Sequence, residues 1–100
     1  MKSYKINLLV TAVKDLDEIV NNLSQFSSNV ALRQYDRIIE KINSLKEFPE
    51  MNEEYKISVL GHKYRRMVID NYLVFYVVKN NSVEIHRIIN SRMNSSEIIE

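Results

Sequence analysis

The sequence predicts an α+β fold, with an N-terminal strand, a helical hairpin packed on a twisted antiparallel sheet, and a C-terminal three-stranded meander. Three observations carry it. Apolar and polar residues alternate at the start of the chain, two amphipathic helical stripes follow, and three β-rich runs separated by Asx pairs come after the only proline. The 100 residues, 45% hydrophobic with one Gly and no Cys, are expected to form a single domain over residues 1–100.

Tyr4, Ile6, Leu8 and Val10 alternate with Lys5, Asn7 and Leu9, the period of a strand with one buried face. Thr11 is the expected N-cap of a first helix, with Asp15 and Asp17 near its positive end. Its stripe runs Val13, Leu16, Val20, Leu23 and Ser27, widened by Ile19 and Phe26. Ser27-Ser28-Asn29 turns the chain and caps a second helix bearing Ala31, Tyr35, Ile38, Ile42 and Leu45, with Ile39 beside them. Pro49 forces Phe48 out of helical geometry, so this helix should stop near Glu47.

Residues 50–62 show no period and are read as a loop with a short strand at Ile57 to Leu60. Strands then run from Tyr64 to Ile69, Tyr72 to Lys79 and Ser82 to Ile89, joined by Asp70-Asn71 and Asn80-Asn81, whose side chains tolerate left-handed turn geometry. The run Leu73 to Val78 is apolar at both parities and is placed in the middle of the sheet. Ser95-Ser96-Glu97 is read as the cap of a short final helix. The expected core comprises Ile6, Leu8, Leu16, Val20, Leu23, Ile38, Ile42, Leu45, Val68, Val74, Tyr76 and Ile85.

Composition removes several chemistries. Without Cys there is no disulfide or thiolate metal site, and the two histidines lack zinc-ligand spacing, so no metal is expected. One Gly cannot build a phosphate-cradling loop, and no nucleophile elbow or paired-carboxylate signature occurs, so nucleotide-dependent enzymes of the usual kinds are excluded and no cofactor is expected. The longest uncharged apolar run is too short to cross a bilayer and no signal core is present, which reads as a cytoplasmic protein with no membrane partner. Net charge is +1, but residues 1–54 carry seven Lys/Arg against nine Asp/Glu, and residues 55–100 carry seven against four. The basic half is where an anionic partner would find complementary charge.

The densest basic stretch is His62-Lys63-Tyr64-Arg65-Arg66. On a strand Arg66 and Tyr64 point one way and Arg65 the other, so the cluster reads equally as a solvated strand start paired with Glu53 or Glu54 and as an anion or partner site. His86 and Arg87 should likewise point to opposite faces, with Arg92 just past the last strand. Arg65 or Arg66 could join Arg87 and Arg92 in one cationic patch if the second and fourth strands both flank the third. A lone imidazole at His86 without a carboxylate nearby reads as packing, as do Tyr72 and Tyr76.

Taken in order, Leu45-Lys46-Glu47-Phe48-Pro49, the run Tyr64 to Tyr76 and the run Val83 to Asn94 resemble the RelE/ParE superfamily of toxins from bacterial type II toxin–antitoxin modules. The resemblance covers nearly the whole chain. It implies a small α+β toxin neutralised by a cognate antitoxin. It also implies one of two targets, the translating ribosome with its messenger RNA, cut by a metal-independent endoribonuclease, or DNA gyrase, inhibited by binding.

In the nuclease branch the resemblance makes Arg66, His86, Arg87 and Arg92 the catalytic candidates. Leu73 stands where such nucleases often carry Arg, and the segment from Ser95 to Ile99 lacks their terminal Tyr. In the gyrase branch Arg65, Arg66, Arg87 and Arg92 would bind the target, and Ile89-Asn90-Ser91-Arg92-Met93-Asn94 is similar to the ParE pattern, with Asn90 and Asn94 in place of His and Asp. The missing proton-transfer groups favour the gyrase branch. The ribonuclease and a non-toxic binding module are the alternatives.

Overall fold

The computed structural model describes residues 3–55 and 63–92. Strand β1 (Lys5–Leu8) leads into helices α1 (Val10–Ser24) and α2 (Ser28–Asn43), a 3-10 turn (Ser44–Lys46), and strands β2 (Arg65–Ile69), β3 (Tyr72–Val78) and β4 (Ser82–Asn90). The expected strand at Ile57 to Leu60 and the final helix at residues 95–99 lie outside the described residues.

The last three strands form the expected meander, with β3 between β2 and β4. The sheet as a whole is not antiparallel. Its order is β1-β4-β3-β2, and β1 lies parallel to β4 with Leu8 opposite Ile85. A parallel pair needs a crossover, and the helical hairpin supplies it.

Helix α1 starts two residues earlier than Thr11 as its cap would place it. Leu9 is the cap residue, without a side-chain bond, and the Thr11 hydroxyl donates to the carbonyl of His86 at 2.7 Å. The open edge of β4 competes for that hydroxyl and wins it. Ser27 does cap α2, its hydroxyl accepting from the Val30 N–H at 3.3 Å. The buried stripe of α1 centres on Ala12 and Leu16, with Ile19 packed beside them, so Val13 is half exposed and Phe26 at the hairpin tip is 88% exposed. On α2, Ala31, Ile38 and Ile42 are buried and Tyr35 is 40% exposed.

The main core lies between the helices and one sheet face, joining Leu16, Ile38, Ile42 and Leu45 to Met67, Ile69, Val74, Tyr76 and Ile85. Ile6 and Leu8 pack against it half-buried. Val68 is not in it and is 64% exposed, because the parity that buries Met67 and Ile69 turns Val68 to the other face. A second apolar cluster on that face, Tyr64, Phe75, Val77 and Ile89 with Tyr55 and Leu73 against it, explains why β3 is apolar at both parities.

The β2–β3 turn carries Asp70 at φ 53, left-handed geometry that Asp tolerates better than most residues. Its carboxylate is clamped from α2 by Arg37 at 2.8 and 3.0 Å and by Gln34 at 3.1 Å. The bond from Arg37 holds the Asp70 carboxyl below its ordinary value of 3.8. Among the described residues no helix is long and apolar enough to cross a membrane.

Two outcomes test this frame. Ile69→Ala should cost about 2–5 kcal/mol in urea unfolding, whereas Val68→Thr should stay within about 0.5 kcal/mol; equal losses would contradict the assigned parity. Asp70 is depressed in the folded state, so its contribution is complete above its unfolded value and is lost as pH falls below 3.8 through the folded one. Melting temperatures recorded across that range should fall less steeply for Asp70→Asn than for the parent chain.

Candidate functional site

The face of the sheet turned away from the helices, with its two flanking edges, holds the residues on which a target or substrate could act. Its geometry begins with an irregularity in β4. Phe75 sits opposite Arg87 but Tyr76 sits opposite Ile85, so His86 is an extra residue in the ladder. Ile85 and Ile88 both remain buried in the helix-side core although they are three positions apart. The bulge therefore undoes the strict alternation expected of His86 and Arg87, and both side chains leave that core.

His86 is not a lone imidazole. Its Nδ1 lies 3.0 Å from the Tyr64 hydroxyl and its Nε2 lies 3.3 Å from Glu84 Oε1. A carboxylate only accepts, so in the neutral ring Nε2 carries the hydrogen and Tyr64 donates to Nδ1. The Tyr64 and His86 rings meet edge to face at 5.1 Å. Burial raises the Tyr64 phenol, and the Glu84 charge adds to it. Burial also works to raise Glu84, but the bond from His86 and the nearby Lys79 ammonium, at 3.5 Å, outweigh it and leave the carboxyl low. Both ring nitrogens of His86 are thus engaged within the chain.

Arg87 runs to the outer edge of the sheet. Its Nε and Nη2 grip the two oxygens of Asp15 on α1 at 2.7 and 2.9 Å, and the same carboxylate accepts the backbone N–H of Ile88 at 2.9 Å. Hydrogen bonding to Asp15 raises the Arg87 guanidinium further above its already high value. The pair is only 28% and 11% exposed at its side chains.

Arg66 shares a cross-strand row with Phe75 and Arg87. Its guanidinium, however, reaches Glu53 at 3.2 Å and lies 5.4 Å from the centroid of the Tyr55 ring, beyond the edge of β2. Arg65 has the opposite parity, beside Tyr76, and donates to the carbonyls of Asn52 at 2.7 Å and Glu50 at 3.4 Å. The Tyr76 hydroxyl donates to the Pro49 carbonyl at 2.8 Å and accepts from Asn52, so Arg65 and Tyr76 together fasten residues 49–52 to the sheet. Arg92 is exposed just past β4, its backbone N–H donating to Asn90 Oδ1.

The four arginines do not converge. Arg66 and Arg87 share a face by register but bend toward opposite edges, Arg65 serves a loop, and Arg92 stands apart at the strand end. The Glu53 pairing of the basic stretch was legible in sequence; Asp15 and Glu84 were not. Asp15 pairs with a residue 72 positions away, and nothing local distinguishes that role from a favourable charge near a helix start. Among the described residues no cluster of His, Cys, Asp or Glu could hold a metal ion.

Removing Asp15 strands a half-buried guanidinium and an edge N–H together. Asp15→Ala should therefore cost roughly 3 kcal/mol in chemical unfolding, and its double-mutant cycle with Arg87→Ala should show a coupling of about 1–3 kcal/mol. Additive losses would mean that the two residues act independently.

Comparisons with known proteins agree with this architecture. No curated protein matches the chain. A solved chain described as the chromosomal ParDE TA system from P. aeruginosa is similar in fold, with a TM-score of 0.74 at 20% identity over 88% of this chain and 96% of that one. A family model, that of the ParE toxin of the type II toxin–antitoxin system parDE, matches residues 6–95. That match takes in β1 from Ile6 onward, the helical hairpin and the complete meander, and on it the chain belongs to the ParE toxin family.

Proposed function

We propose that the chain acts as a single toxin domain across residues 1–100. It would work in the cytoplasm, arrest growth by binding DNA gyrase without catalysis, and be held inactive by a cognate antitoxin. The family places it among toxins of two-component modules, and the observation that carries the choice of mechanism is the engagement of its cations. A ribonuclease must aim cationic donors at the phosphorus under attack and keep a proton-transfer group available. Here Arg65, Arg66 and Arg87 are bonded to the chain's own carbonyls and carboxylates, and both nitrogens of His86 are occupied. Such residues fix a rigid surface, which suits recognition better than turnover.

The antitoxin reading is supported by the apolar side chains left in solvent on the helical hairpin. Val13, Leu32 and Tyr35 are all exposed, and an amphipathic or extended segment of another chain would cover them.

One experiment separates the mechanisms. Purified chain, freed of antitoxin, is added to gyrase with relaxed plasmid and, in parallel, to translating ribosomes with a defined message. Supercoiling should be inhibited and the message should remain intact. Cleavage that disappears in Arg66→Ala would establish the endonuclease instead, and inactivity in both assays without growth arrest on induction would leave a binding module. Coexpression with the adjacent open reading frame should restore growth and yield a complex.

A further inference from the structure

Strand β4 is nine residues long, yet β1 pairs with only Ser82 to Ile85. Among the described residues the second half of its outer edge has no strand beside it. In an antiparallel pair, residues alternate between facing their partner and facing away, and the Ser91 N–H bonds the Asn71 carbonyl across the β3–β4 pair at 2.8 Å. Ile88 and Asn90 consequently turn their backbone groups outward. Asp15 takes the Ile88 N–H. Among the described residues none bonds the Ile88 carbonyl or the Asn90 N–H.

Ile88 and Asn90 line a groove of about 320 Å³ between α1 and the end of β4, at the lower end of the usual size for ligand clefts. Ile19, Leu23 and Tyr72 supply apolar lining, and Glu18 stands at the side. Within the groove the Arg87 guanidinium faces two carboxylates, bonded to Asp15 and also attracted to Glu18, so the lining keeps a net negative charge on the Glu18 side.

We propose that this groove docks an extended peptide segment of a partner protein that adds to the β4 edge at Ile88 and Asn90 and sets a lysine or arginine against Glu18. The backbone of the incoming segment supplies the missing donor and acceptor, its apolar side chains lie toward Ile19, Leu23 and Tyr72, and its cation answers the surplus carboxylate. The inference does not depend on the gyrase reading, since it follows from the strand edge and the groove alone.

The probe is the blocked pentapeptide Ac-Thr-Val-Arg-Val-Thr-NH2, titrated into isotope-labelled full chain and followed by amide resonances. Shifts should concentrate at Ile88, Ile89, Asn90 and the second half of α1. The same peptide with Glu replacing Arg should bind roughly two- to five-fold more weakly, as expected for one exposed ion pair, and Glu18→Gln should abolish that difference. A version N-methylated at alternate backbone nitrogens should lose the shifts. Three results would overturn the proposal: shifts at the edges formed by Lys5–Leu8 or Arg65–Ile69 instead, equal affinity for the Arg and Glu peptides, or an Asn90 amide already protected from exchange in the free chain. Growth arrest and gyrase inhibition are measured separately, so failure of either reading leaves the other standing.

Discussion

The structure depends on how the long fourth strand is closed along its outer edge. β1 covers only the first half of β4, and α1 closes part of the rest with side chains: the Thr11 hydroxyl on one carbonyl and the Asp15 carboxylate on one N–H. Unpaired edge groups near a core are costly, so these two residues set how α1 runs along the sheet. Arg87 then locks the arrangement by neutralising Asp15. With α1 fixed, α2 is held from the other side by the clamp of Arg37 and Gln34 on Asp70, and the apolar stripes of both helices meet the sheet in one register.

That constraint also explains what the sequence could and could not reveal. Period-two and helical stripes respond to burial, so both helices, the Ser27 cap and the three-stranded meander were readable from spacing alone. Thr11 reads as the cap of its own helix because local capping, in which its oxygen accepts a helix N–H, is the only use visible at short range, whereas its hydroxyl donates to a carbonyl 75 residues away. Val68 reads as core because every residue from Met67 to Ile69 is apolar, and an apolar run conceals which parity faces in. Parallel pairing of β1 leaves no sequence mark at all, since the same alternation serves either direction.

The candidate site was readable in its residues and not in its geometry. Arg65, Arg66, Arg87 and Arg92 stand out by charge, but the partners that determine their availability lie on other elements. A bulge cannot be inferred from Ile85-His86-Arg87-Ile88, which looks like ordinary strand until Ile85 and Ile88 are both found buried. What emerges is a surface in which the conspicuous cations brace the sheet's margins, while the middle of the far face is aromatic and aliphatic. A charge count by itself would have described the opposite.

The parallel contact between Leu8 and Ile85 carries a consequence for biosynthesis. The Leu8 segment can find its neighbour only after both helices and the first two strands of the meander have been made, so this pairing is strongly non-local and closes late. A truncated product ending before β4 lacks the strand that joins the amino-terminal segment to the meander and keeps the helices from seating.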